Sequence, residues 1–230
     1  MHKIKIIQPG RLGDIFICLP ISYHYHALGY EVKWPIFKQY AFVQAYVDYV
    51  NFDVLKESVD TQEDISRAIE KCYRQIPGCE NLDICFGFII NHNDKKWAKI
   101  DLSFDAFKYS LAGLDISEKF KLKINRNYKK ESELVDMLVK EPFYFVHDVG
   151  SNYNYDFKLD FTVIKYRHID GFTMIDWLGI VEKAEKCFFV DSSFLNLVNG
   201  LGLVKGKRFF KRKSGPKFTP ILDDDWKEFE

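Results

Sequence analysis

The chain has 230 residues, of which 47% are hydrophobic and 17% aromatic, so it is long enough to bury a substantial core. Lysine plus arginine and aspartate plus glutamate both number 33, and this balance argues against a protein that coats nucleic acid through a broad positive surface. The five cysteines are scattered without a CxxC pair, which argues against a zinc site or a full disulfide framework.

The cysteine pattern also bears on location. Isolated cysteines that serve as small apolar residues are typical of proteins in a reducing compartment. The chain starts with an apolar strand pattern rather than a secretory leader, and no apolar run reaches the roughly 18–20 residues that cross a bilayer. We therefore expect a soluble, cytoplasmic protein without a transmembrane segment.

The first half of the sequence alternates predicted strands and helices. Residues 4–7 form a strand pattern, and the glycine-bounded turn PGRLGD leads into a helix over 14–28 that Pro20 kinks or ends and Gly29 stops. The predicted elements that follow are the strand EVKWPIF, helices over 42–50 and 61–73, a strand over 82–90 and a helix over 104–114.

The second half begins with the most polar interior stretch, residues 121–135, whose first part fits a strand and whose middle we interpret as a linker between two domains. A short helix is expected over 132–140, and FYFVHDVGS is typical of a strand that runs into a Gly-Ser turn. The remaining predicted elements are a strand over 166–169, a helix over 172–186, the strand CFFVD and the helix FLNLVNGLGL.

Strands that alternate with helices predict an α/β fold with parallel sheets. Two strand-turn-helix units, at 4–28 and 187–201, lie on either side of the polar stretch. We therefore expect two Rossmann-like domains, residues 1–128 and 129–230.

Three turns follow predicted strands: PGRLGD, DVGSN and DSSF. In parallel sheets, ligands bind at the carboxyl ends of strands, where the backbone N–H groups of helix N-termini attract phosphate. The first turn has only Gly10 and Gly13 and does not match G-x-G-x-x-G, which disfavours a nicotinamide enzyme.

The turn GRLGDIFICLP resembles the N-terminal signature of family 9 glycosyltransferases, the heptosyltransferase group, approximately R-x-x-x-L-G-D-x-x-x-x-L-P. The residues that match it are Leu12, Gly13, Asp14, Leu19 and Pro20. The stretch from Gly171 to Leu203 is similar to the family's C-terminal block, with matches at Ala184, Asp191, Ser192, Leu197, Leu201 and Gly202. VHDVGSNYNYDFK resembles its HPGAS…K-x-W segment through His147, Gly150, Ser151 and Lys158.

This resemblance implies a GT-B arrangement, in which two Rossmann-like lobes with parallel sheets face a cleft and bind acceptor (1–128) and donor (129–230). It implies an inverting transfer of a sugar from a nucleotide-sugar donor to a glycan or other hydroxyl acceptor, without a metal or another cofactor. Asp14 would be the catalytic base, and Arg11 and Gly13 would bind the acceptor. The donor-binding residues would be Lys158, Gly150, Ser151, Asp191, Ser192, Ser193 and Asn196.

Each of these roles has a structural alternative. Asp14 is also placed to cap the following helix, Arg11 to pair with a carboxylate, Lys158 to be a solvated surface lysine and the 191–193 turn to be a simple helix cap. His147 is as consistent with a core histidine as with a site residue. For the whole chain, the alternative is a non-catalytic remnant of the GT-B fold that binds a nucleotide or glycan.

Two charged stretches near the end of the chain complete the sequence. The segment KGKRFFKRKSGPK, residues 205–217, is consistent with a charged edge strand or with contact to an anionic surface. The run DDD at 223–225 lacks the preceding apolar strand of a metal-binding D-x-D element, so we expect it to be a solvated run.

Overall fold

The protein is described by a computed structural model that covers residues 2–56, 78–84, 102–150, 153–212 and 220–229. The chain divides into two compact units, Met1–Asn125 and Arg126–Glu230. The division falls within the polar stretch that the sequence identifies as a linker. The predicted helix over 61–73 and most of the predicted strand over 82–90 lie outside the described residues.

The first unit is built on a four-stranded parallel sheet with the order β3-β2-β1-β4. Its strands are β1 (Lys3–Ile7), β2 (Glu31–Phe37), β3 (Asn51–Leu55) and β4 (Glu80–Asp83). Ile4, Ile6 and Ile7 are all buried, as expected for a central strand of a parallel sheet covered on both faces. The α/β class with a parallel sheet is therefore confirmed in this unit.

The helices of this unit lie between and after these strands in the chain. They are α1 (Leu12–Ala27), α2 (Phe104–Leu111) and the 3-10 helices Lys38–Tyr46 and Ile116–Phe120. Helix α1 continues through Pro20 rather than ending there, because burial of Ile15–Ser22 offsets the cost of the missing N–H. The hydroxyl of Tyr109 in α2 donates to the carbonyl of Ile17 at 2.7 Å, which joins the two helices.

The second unit contains a five-stranded parallel sheet with the order β11-β10-β9-β5-β8. In chain order its strands are β5 (Tyr144–His147), β6 (Val149–Gly150), β7 (Tyr153–Asn154), β8 (Val163–Lys165), β9 (Lys186–Val190), β10 (Arg208–Lys211) and β11 (Lys227–Glu228), of which β6 and β7 form a separate antiparallel pair. The helices are α3 (Tyr128–Leu138), the 3-10 helix Ile175–Trp177, α4 (Leu178–Lys183) and α5 (Ser193–Leu201).

The two faces of this sheet are packed differently. Along β5 and β9, alternate side chains such as Phe145 and Phe189 contact Trp177 and Phe194 of the helical layer. The intervening side chains, including Val146 and Phe188, pack with aromatic side chains of the segment 153–161. The period of two in the strands therefore gives two separate apolar layers.

Several predicted boundaries were wrong for identifiable reasons. Helix α3 begins at Tyr128 rather than near 132, because the side chain of Asn127 accepts a hydrogen bond from Lys130 N at 3.1 Å and caps it. The segment after β2 is a 3-10 helix over Lys38–Tyr46 and not an α-helix over 42–50. Strand β8 lies at Val163–Lys165 instead of 166–169, where it pairs with β5.

Candidate functional site

The turn between β1 and α1 carries the acidic residue that the sequence analysis singled out. Arg11 is the exposed N-cap residue of α1 and makes no side-chain capping hydrogen bond, while Gly13 and Asp14 lie in the first turn. A carboxylate in the first turn interacts favourably with the helix dipole. The side chain of Asp14 is 28% exposed, so solvent and ligands reach it.

A buried lysine holds this carboxylate. Lys108 Nζ on α2 lies 3.0 Å from Asp14 Oδ1, although its own side chain is only 1% exposed. The same ammonium donates to the carbonyl of Ile84, directly after β4, at 3.3 Å. Asp14 is therefore fixed by an ion pair from a neighbouring helix.

A second buried ion pair lies on the same helix. Asp105 Oδ2 is 2.7 Å from Lys119 Nζ, and both side chains are fully buried. Asp105 Oδ1 also accepts from Ala106 N at 2.9 Å. Neither Lys108 nor Lys119 stands out in the sequence, because a lysine in a helical segment looks like a solvated residue until its neighbours are known.

In the second unit, the N-terminus of α5 follows β9 as the sequence predicts. Ser192 is the N-cap residue, and its Oγ accepts a hydrogen bond from Leu195 N at 3.3 Å. Ser193 is the first helical residue, and its hydroxyl contacts Met174 Sδ at 3.8 Å. Within the 191–193 turn, Ser192 is thus the capping residue of α5.

Two buried polar atoms near this helix have no protein partner within the part of the chain that is described: Asn196 Oδ1 and His147 Nδ1. Asn196 is 6% exposed, and its amide nitrogen donates to the carbonyl of Ser192 at 3.0 Å, so its oxygen points away from that bond. His147 ends β5 and its ring packs edge-on against Phe194 of α5. Unsatisfied buried groups are uncommon and often mark a ligand or water position.

The environment of His147 keeps its imidazole neutral. Burial lowers the pKa of His147 from 6.5 to about 4, and the nearby carboxylate of Asp148 only partly opposes the effect. A neutral imidazole both donates and accepts one hydrogen bond, so this residue can orient a polar ligand without adding positive charge.

The turn after β5 approaches the turn after β9 closely. A Cβ on Gly150 would lie 2.8 Å from the carbonyl oxygen of Asp191, a distance that only glycine allows. The structure therefore brings Gly150 together with the 191–193 turn. Ser151 lies outside the described residues.

Lys158 is not part of this cluster in the structure. Its side chain is 86% exposed and pairs with Asp156, an exposed residue of the same segment. Without a ligand, the residue has the environment of a surface lysine.

The charged stretches near the end of the chain form a packed structure rather than a solvated run. Arg208 is fully buried and pairs with Asp223 at 2.7 Å and with Asp225 at 2.9 Å. Strand β10 lies between β9 and β11, so the predictions of an edge strand and of a solvated DDD run were both wrong. Lys205 and Lys207 are exposed, and residues 213–217 of the predicted anionic-surface segment lie outside the described residues.

Within the described residues, no group of three or more His, Cys, Asp or Glu side chains is arranged to hold a metal ion. Over the same residues, no helix has the length and apolar character needed to cross a membrane.

No protein-family model matches the chain, and no curated protein is similar to it in sequence. Among solved structures, it is similar to the glycosyl transferase family 9 protein from Veillonella parvula DSM 2008, with a TM-score of 0.62 and 8% identity. The match covers 99% of this chain and 85% of the other. The α/β fold predicted from the sequence is thus the fold of a family 9 glycosyl transferase structure.

Proposed function

We propose that the protein is a glycosyltransferase that moves a sugar from a nucleotide-sugar donor to an acceptor hydroxyl, inverting the anomeric carbon without a metal or other cofactor. The observation that carries this proposal is the similarity in fold to a family 9 glycosyl transferase over 99% of the chain. The local chemistry of the two turns supports it independently, since each unit has polar groups at the carboxyl end of a parallel sheet.

The donor would bind at the N-terminus of α5. Backbone N–H groups there and the hydroxyl of Ser193 suit the oxygens of a diphosphate, and the helix dipole favours its negative charge. Asn196 Oδ1 and His147 Nδ1 have no partner among the described residues, as expected for groups that complete their hydrogen bonds with a ligand or ordered water. Gly150 and Asp191 would shape the wall of this site, and Lys158 would exchange Asp156 for the diphosphate.

The chemistry needs one base. Asp14 would take the proton of the acceptor hydroxyl while that oxygen forms a bond to the anomeric carbon. The bond from this carbon to the diphosphate oxygen breaks, and its electron pair leaves with the nucleoside diphosphate. Arg11 and Gly13 beside Asp14 would contact the acceptor.

The second candidate is a non-catalytic protein that binds a nucleotide or glycan. The ion pair between Asp14 and Lys108 favours it, because the Lys108 ammonium occupies one oxygen of the carboxylate that would have to accept the proton. The two candidates differ in sugar transfer but share nucleotide binding.

A cytoplasmic location forms part of the proposal. Cys18 and Cys187 are buried thiols, which fits a reducing compartment. Contact with an anionic surface would rely on the exposed Lys205 and Lys207, because Arg208 is buried and already paired.

The first experiment is a thermal-shift panel of nucleoside diphosphates and nucleotide sugars, including heptose nucleotides. A ligand at about 100 times its dissociation constant adds about 2.7 kcal/mol of stability. We expect one nucleotide to stabilise the wild type, Lys158→Ala to weaken the shift, and Lys140→Ala, at another exposed position of the same unit, to leave it unchanged.

Donor turnover then separates the two candidate functions. Release of nucleoside diphosphate in the presence of a glycan acceptor panel supports the transferase. Binding without release favours the non-catalytic protein, and no shift with any nucleotide at millimolar concentration contradicts both.

A further inference from the structure

The buried lysine beside Asp14 is a feature that the proposed reaction does not by itself require. Removing an ammonium from water is unfavourable unless it is paired and hydrogen-bonded. Lys108 meets this condition through Asp14 Oδ1 at 3.0 Å and the Ile84 carbonyl at 3.3 Å. The lysine therefore joins α2, the residue after β4 and the first turn of α1.

The two oxygens of Asp14 have different surroundings. Oδ1 faces Lys108, whereas Oδ2 faces Gly10, where a Cβ would lie 3.1 Å from it. The same hypothetical Cβ would lie 2.3 Å from the side-chain amide nitrogen of Gln8, so glycine at position 10 leaves room for the side chains of Gln8 and Asp14. The Asp14 carboxylate is thus paired through Oδ1, and its side chain as a whole is 28% exposed.

We propose that Lys108 is a positioning residue for Asp14: it fixes the carboxylate through Oδ1 and thereby presents Oδ2 to the acceptor hydroxyl. This inference rests on the proposed function, because it assigns the proton-accepting oxygen of the same reaction. A carboxylate on a single rotatable side chain would otherwise sample several rotamers, and misplacement of about 1 Å can cost roughly 100-fold in rate.

The pair Asp105–Lys119 provides a matched control. Lys119 is as buried as Lys108, lies in the same unit and pairs with an aspartate on the same helix as Lys108. Replacing Lys119 removes an equivalent buried charge without touching Asp14. A loss of activity that merely follows from reduced stability would appear in both variants.

The experiment compares Lys108→Met with Lys119→Met in steady-state sugar transfer, after the folded fraction of each is measured by circular dichroism. We expect Lys108→Met to lower kcat roughly 10- to 100-fold with little change in the acceptor KM, and Lys119→Met to retain the wild-type kcat. If Lys108→Met does not fold, Lys108→Gln, which keeps an N–H donor for the Ile84 carbonyl, takes its place.

The double variant gives a second readout. If Lys108 acts through Asp14, then Asp14→Asn with Lys108→Met transfers sugar no more slowly than Asp14→Asn alone. Equal kcat for the wild type and Lys108→Met, additive effects in the double variant, or an equal loss in Lys119→Met would overturn the positioning role while the transferase function stands. A wild type that transfers no sugar would overturn both.

Discussion

At the scale of single residues, buried polar groups that lack a partner in the described part of the chain distinguish the candidate donor site from an ordinary helix cap. Ser192 alone would be a cap, since its hydroxyl accepts from Leu195 N. The unsatisfied atoms of Asn196 and His147 add a reason to expect a ligand beside it. The burial that isolates His147 also has a measurable effect on stability.

We predict that the wild type loses stability as the pH falls from about 6.5 to 4. The pKa of His147 is about 4 in the folded protein and near 6.5 in the unfolded chain. The unfolded chain therefore binds a proton in this window and the folded protein does not, which costs about 3 kcal/mol at the acidic end. Urea denaturation at several pH values measures this change in the free energy of unfolding.

The control for this prediction is a histidine variant pair. His147→Phe, which preserves packing against Phe194, should remove that part of the pH dependence. His168→Gln, at an exposed position of the same unit, should keep it. Identical profiles for the wild type and His147→Phe would contradict the assignment.

At the scale of elements, capping and buried ion pairs determine where the helices begin and how they pack. The cap at Asn127 starts α3 within the stretch that the sequence presents as a linker. Arg126 then joins α3 to α4 through Glu131 at 2.8 Å and Glu182 at 2.7 Å. Polarity in this stretch therefore reflects an ion-pair network rather than a lack of structure.

We predict that Arg126→Met lowers the free energy of unfolding by about 3–5 kcal/mol, because the buried carboxylate of Glu131 loses its counter-charge. Lys121→Met, which breaks an exposed pair with Glu118, should change it by about 1 kcal/mol or less. Chemical denaturation measures both, and equal effects would show that Glu131 is not buried as described.

For α5 we predict that different substitutions of Ser192 affect the stability of the protein and its binding of nucleotide separately. Ser192→Ala should lose about 1 kcal/mol of stability with the N-cap hydrogen bond. Ser192→Asp should retain the cap and most of the stability but place a negative charge where the diphosphate would bind. A nucleotide thermal shift that survives in Ser192→Asp would argue against a phosphate site at this helix.

At the scale of the whole molecule, the two candidate sites belong to different units, Asp14 to the first and the 191–193 turn to the second. A substitution can therefore impair one of the two candidate sites and leave the other unchanged. Each unit has its own parallel sheet, and each site lies at the carboxyl end of one.

We predict that Asp14→Asn lowers sugar transfer by about 10²- to 10⁴-fold, the usual contribution of a general base. The nucleotide thermal shift should stay that of the wild type, because no donor residue is altered. Ser192→Asp should instead weaken the nucleotide shift and lower sugar transfer chiefly at low donor concentration. A reduced nucleotide shift in Asp14→Asn would mean that Asp14 contributes to donor binding.

The sequence by itself determined the α/β class, the strands around residues 4–7, 144–147 and 187–190, and the turns that carry Asp14 and Ser192. These follow from local apolar runs and turn residues, which depend on neighbours in the chain. Only the tertiary structure decided that Lys108 holds Asp14, that Gly150 must be glycine against Asp191, and that Arg208 binds Asp223 and Asp225. Those contacts join residues far apart in sequence. The free-energy cost of burying a charge, and the room available where two backbone segments approach, depend on packing that no local sequence pattern encodes.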